Sequence, residues 1–107
     1  MKRGDVVTVV APGDYGKPRP ALVVQSELFR DHPSITVCLM TSDLRDTPLF
    51  RFTVPPKPSN GLQKQSQVMV DKIITLASTR VGETVGKLDD SEMTEVTRLL
   101  ALWLGLA

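Results

Sequence analysis

The sequence predicts one β-rich domain closed by a C-terminal helix, and three observations carry that expectation. Short β-branched stretches separated by Gly and Pro fill the first three quarters of the chain, the pattern of a small antiparallel sheet or barrel. The apolar spacing then changes, with Met93, Val96, Leu99, Leu100 and Trp103 recurring at three- and four-residue intervals on one helical stripe. Finally, 107 residues suffice for one core, whereas two domains would each be too small to bury enough surface. Residues 1–107 are therefore expected to form a single domain.

Val6 to Val10 read as the first strand, ended by the Pro- and Gly-rich loop Ala11 to Pro18. The second strand runs from Ala21 to Gln25, a helical turn follows over Ser26 to Arg30, and Ile35 to Thr41 form the third strand. Both strands are apolar on successive positions, which predicts burial on two faces. Leu49 to Val54 alternate apolar and polar residues, the signature of a half-exposed strand, and Pro55 to Gly61 break it as a surface loop. A further strand over Val68 to Leu76 is expected to bend at Asp71-Lys72, and Glu83 to Leu88 make one more.

The helix carries its own start signal. Asp89 is placed to cap it, Glu92 stands three residues later to answer the cap, and Leu88 can pack on Met93 across the boundary. Trp103 on the apolar stripe is expected to anchor the helix on the sheet. Leu102, Leu104 and Leu106 fall largely outside that stripe, so either the terminus frays or a second apolar face meets another surface.

Composition narrows the function classes. Thirteen Lys and Arg against twelve Asp and Glu leave a formal charge of +1, so attraction to a polyanion must come from local placement. No apolar run approaches the roughly 20 residues a membrane-spanning helix needs. The N-terminus lacks the apolar segment of a secretory signal, which predicts a cytoplasmic protein. A lone Cys38 excludes an internal disulfide, and one Cys with one His cannot build a four-ligand zinc site, so no metal and no cofactor are expected. Cys38 reads as strand packing and His32 as a solvated loop residue.

The chemistry gathers around Pro18-Arg19-Pro20. The flanking prolines restrict the backbone so that Arg19 leaves the second strand in a set direction, and a guanidinium offers a planar fork of donors matched to phosphate oxygens. The alternative is an ion pair at the sheet rim. Thr41-Ser42 ends the third strand, where adjacent hydroxyls suit either a phosphate or the turn that follows. Asp71 puts a carboxylate where an apolar strand emerges, as a general base or as a partner for Arg19 or Lys72.

Five blocks in order, "KRGDVV", "KPRPALVVQSELF", "TVCLMTS", "SQVMVDKI" and "VGKLDDSEMTEVTRLLALWLGL", resemble the MazF/PemK (Kid) family of toxin endoribonucleases over nearly the whole chain. The resemblance implies an SH3-like, CcdB/PemK-like small barrel that forms a homodimer, cleaves single-stranded RNA without a metal, and is neutralised by a cognate antitoxin. It assigns catalysis to Arg19 and Thr41, and less directly places Ser42 and Asp71 in catalysis or RNA contact; Lys17, by its proximity to Arg19, and Pro20 join Ser42 as expected RNA contacts. Two departures from the family pattern stand out. The loop before Arg19 is short and lacks the Glu, Gln or His that relatives often place there, and Ile74 stands where they commonly carry Arg. Two alternatives remain open: a CcdB-like toxin that binds DNA gyrase through the Trp103 to Ala107 end, and an inactive binding module.

Overall fold

The computed structural model describes residues 1–13 and 15–107; Asp14, in the loop expected over Ala11 to Pro18, lies outside the described residues. Six strands and one helix follow in the predicted order: β1 (Asp5–Val9), β2 (Arg19–Val23), β3 (Ser34–Thr41), β4 (Arg51–Val54), β5 (Ser66–Ala77), β6 (Val81–Lys87) and α1 (Asp90–Trp103). They form one antiparallel sheet in the order β4-β5-β3-β2-β1-β6. The turn after β2 is a short 3-10 segment over Glu27–Phe29, capped by the Ser26 hydroxyl.

The successive apolar residues of β1, β2 and β3 fill two separate cores. Val6, Leu22, Cys38 and Met40 join Val54, Val68 and Val70 under Val96, Leu99 and Leu100 of α1. Val7, Val9, Ala21, Val23, Ile35 and Val37 pack with Leu76 on the opposite side. Alternate residues of a strand point to opposite faces, so a sheet buried on both sides must be apolar at every position.

β5 holds the bend expected at Asp71-Lys72. Its register with β3 pairs Cys38 with Ile73 but Met40 with Val68, so Leu39 alone faces the stretch 69–72. Such a bulge bends the strand and shifts which face its residues occupy. Val70 and Ile73 accordingly both pack on the helix side despite their odd spacing.

Two elements differ from expectation at their ends. β4 starts at Arg51 because the Thr47 carbonyl accepts the backbone N–H groups of Phe50 and Arg51, closing a turn over the residues expected to begin the strand. Trp103 is 49% exposed and its ring meets Phe50 at 6.0 Å, so the helix is anchored by Val96, Leu99 and Leu100 and not by the tryptophan.

Both ends of α1 are specified locally. Asp89 and Glu92 form the reciprocal capping box. At the other end the backbone of Leu106 donates to Ala101 and that of Gly105 to Leu102, with Gly105 at φ +74°, a Schellman closure that needs a residue without a Cβ penalty. The terminus is therefore wound shut, and the Trp103-Leu104-Gly105 segment is a helix stop. Leu102, Leu104 and Leu106 stay exposed beside it.

The Pro-rich loop after β4 crosses to the far edge of the sheet. Buried Asn60 shapes it, accepting from the backbones of Lys57 and Leu62 and donating to the Pro55 carbonyl. The Ser59 carbonyl then takes the Lys87 N–H of β6 at 2.9 Å. Gly86 permits this approach, since a Cβ there would lie 2.3 Å from the Asn60 carbonyl carbon.

Candidate active site at the β2–β3 strand ends

The site begins with register. The β2–β3 ladder ends at the pair Ala21–Leu39, and just beyond it Arg19 of β2 and Thr41 of β3 line the same cavity. Directly opposed residues point to the same face with Cβ atoms about 5 Å apart. β3 also pairs Thr41 with Gln67 of β5, β4 pairs Thr53 with Gln67, and β1 pairs Val9 with Arg19. One row of side chains, Thr41, Gln67 and Thr53, thus crosses three adjacent strands.

Lys17, Pro18, Arg19, Pro20, Met40, Thr41, Ser42 and Ser66 line a shallow cavity of about 220 Å³ at this end. Five of the six residues singled out in the sequence therefore meet in one place: Arg19, Thr41, Lys17, Pro20 and Ser42. Arg19 and Lys17 are exposed at the rim, Pro20 and Thr41 are half-buried, and Ser42 is exposed where β3 ends. The Thr41 Oγ1 accepts the backbone N–H of Asp43 at 3.0 Å. With that lone pair engaged, the hydroxyl hydrogen is the group left to donate toward an oxygen in the cavity.

Asp71 does not line this cavity. It sits in the β5 bulge between Val70 and Ile73, and one carboxylate oxygen, Oδ1, is buried without a hydrogen-bond partner among the described residues. Its charge acts on Cys38, a residue of the helix-side core. Burial pushes the Cys38 thiol up to about 12, with Arg3 opposing and Asp71 reinforcing the rise. An uncharged, enclosed thiol fits the packing role expected of Cys38. Arg3 itself ties the N-terminus down, donating to the Val24 carbonyl and to Thr97 Oγ1 of α1.

The remaining candidates separate cleanly. His32 is exposed and its Nδ1 accepts the Ser34 N–H, closing a turn away from the cavity. Ile74 packs against the second core, as an aliphatic side chain at that position should. Sequence reasoning passed over Gln67, a polar side chain only 5% exposed beside Thr41. Its one sequence signal is an amide at the head of the apolar run Val68-Met69-Val70.

A small curled sheet, capped on one face by a helix and presenting a guanidinium and a hydroxyl at the ends of adjacent strands, defines a scaffold suited to holding a phosphate. Comparison with known proteins gives that scaffold its relatives. Residues 2–104 match the PemK-like, MazF-like toxins of type II toxin-antitoxin systems. The probable endoribonuclease MazF of Mycolicibacterium smegmatis is 39% identical over 108 residues, covering 100% of this chain and 99% of the relative. Endoribonuclease EndoA of Bacillus subtilis is 27% identical, covering 99% and 96%. Among solved structures, an endoribonuclease in complex with its cognate antitoxin from a mycobacterial species superposes with a TM-score of 0.82 at 25% identity, covering 100% of this chain and 97% of that one. The chain belongs to the PemK-like, MazF-like family of type II toxins.

Proposed function

We propose that this protein is an endoribonuclease toxin that cleaves single-stranded RNA by attack of a 2′-hydroxyl on the adjacent phosphorus. The observation that carries this is that Arg19 and Thr41 line one open cavity, in a chain whose relatives are named endoribonucleases. In the reaction a base takes the 2′-hydroxyl proton, a bond forms between that oxygen and phosphorus, and the bond from phosphorus to the 5′-oxygen breaks. The leaving oxygen takes up a proton, so the products are a 2′,3′-cyclic phosphate and a 5′-hydroxyl. Arg19 stabilises the negative charge that grows on the non-bridging oxygens, and Thr41 donates its hydroxyl hydrogen to one of them. Lys17 adds charge at the rim, while Pro20 and Ser42 shape the walls. Asp71, outside the cavity, is given no proton to move.

The same reading makes residues 1–107 one catalytic domain that works in the cytoplasm without a metal. No helix among the described residues is long and apolar enough to cross a membrane. The exposed Leu49, Leu102 and Trp103 and the half-buried Phe50 line one apolar groove, the surface on which two copies would pair as a homodimer. A cognate antitoxin would neutralise it, as the mycobacterial relative's complex with its own antitoxin supports.

The test is direct. The purified protein, incubated with a mixed RNA library in EDTA, should yield fragments with cyclic phosphate and 5′-hydroxyl ends. RNA left intact under these conditions would overturn the reading.

A further inference from the structure

We infer that Gln67 is a positioning residue for this site, holding both ends of the turn that carries Thr41 and Ser42. The inference rests on the proposed cleavage reaction and adds a residue to it. Gln67 is 5% exposed, and its amide is used at three points. Its Oε1 accepts the Arg45 backbone N–H at 3.0 Å, its Nε2 donates to the Arg45 carbonyl at 2.8 Å, and Nε2 also reaches Thr53 Oγ1 at 3.2 Å. A primary amide that grips both peptide groups of one residue imitates a strand partner, although Arg45 belongs to no strand.

The other end of the turn is tied to the same residue, because Thr41 is the direct ladder partner of Gln67. Between the two ties, Asp43 N–H fixes the Thr41 hydroxyl at 3.0 Å. The segment 41–45 is therefore anchored at its start by the Gln67 backbone and at its end by the Gln67 side chain. Among the described residues the one ion pair within the segment, Arg45 to Asp43, is exposed on both sides, and such a pair contributes little. Arg51 Nη1 adds a long contact to the Asp43 carbonyl at 3.5 Å, so the shorter ties of the buried amide hold most of the turn. If it is released, Asp43 N–H drifts from Thr41 and the hydroxyl is no longer aimed into the cavity. Lys17 and Arg19 stand on the other side of that cavity and keep their places, so RNA should still bind.

Gln67→Met keeps the side-chain volume and removes all three hydrogen bonds. We expect kcat on an RNA oligonucleotide to fall about ten- to a hundredfold, the scale of a misplaced catalytic group. KM should change less than about threefold. Gln67→Glu retains an acceptor for the Arg45 N–H but no donor for its carbonyl, and should fall between wild type and Gln67→Met. A purely packing role would lower thermal stability while leaving kcat well below the melting temperature unchanged, and that result overturns the inference. Should both variants fail to fold, amide exchange of the wild type decides. A slowly exchanging Arg45 N–H supports the clamp, and one that exchanges like an open loop amide refutes it. If the wild type cleaves no RNA, the proposed reaction fails on its own account; if it cleaves and Gln67→Met cleaves equally well, only the positioning role fails.

Discussion

The two faces of the sheet are built from the same strands yet end differently. On the helix side the residues of β2, β3 and β5 stay apolar along the covered length, and α1 lies over them. On the other side the pairs Val23–Val37 and Ala21–Leu39 are apolar, and just beyond the end of that ladder Arg19 and Thr41 line the cavity. The site lies at the strand ends, where the second core runs out and Met40 of the helix-side core also reaches the cavity wall. A face that must be sealed selects only for shape and hydrophobicity, whereas a face left open at one end can carry charge without the cost of burying it.

This contrast predicts that the faces fail in different ways. The largest effect belongs to Arg19→Ala, which should lower kcat by about a hundred- to a thousandfold, read in a single-turnover RNA cleavage assay, with little change in melting temperature. A large stability loss from this variant would break the contrast. Its counterpart on the sealed face, Leu99→Ala, should destabilise by about 2–5 kcal/mol in a denaturant titration and leave the cleavage rate of the folded fraction intact. Thr41→Val should cost roughly a hundredfold in kcat, since it removes one donor to the transition state and keeps the side chain's shape.

Smaller effects sharpen the picture. Asp71→Asn, in the β5 bulge and outside the cavity, should alter cleavage by less than about threefold, and a loss comparable to that of Thr41→Val would return Asp71 to the reaction. The smallest change concerns the helix start. The Glu92 backbone N–H and the Ser91 hydroxyl hold the Asp89 carboxyl below its usual range. A carboxyl depressed in the folded state stabilises fully above its unfolded value and loses that contribution as pH falls through the folded one. Helical circular dichroism and melting temperature should therefore decline slightly below about pH 4, and Asp89→Asn should blunt that decline.

Much of this was legible in the residues, and the parts that were not share a cause. Asp89 and Glu92 cap a helix through contacts within one turn, so the pattern alone locates the boundary. The doubly apolar β2 and β3 announce two buried faces for the same reason. The meeting of Arg19 and Thr41 at one cavity depends on how the strands pair, which the chain writes only through its fold; the resemblance to MazF/PemK toxins pointed to those two residues without it. Leu49 and Phe50 alternate like strand residues, yet the Thr47 carbonyl draws the backbone into a turn ahead of Arg51. Trp103 keeps the helical period, but its ring stays half-exposed against Phe50. Gln67 was invisible because its partners, Arg45 and Thr53, lie 22 and 14 residues away. Long-range hydrogen bonds leave no period to read.

The loop that carries Asn60 across to β6 has a consequence for life in a crowded cell. An uncovered edge strand is a template on which another chain can add itself, the first step toward aggregates. Here the Ser59 carbonyl occupies the Lys87 N–H, and the backbone at Asn60-Gly61 lies against Val85-Gly86, where any side chain larger than hydrogen would collide. Pro55 and Pro56, just after β4, have no N–H to offer a newcomer. The two glycines thus serve solubility as much as shape: replacing either would push the loop off β6 and expose an edge that invites company.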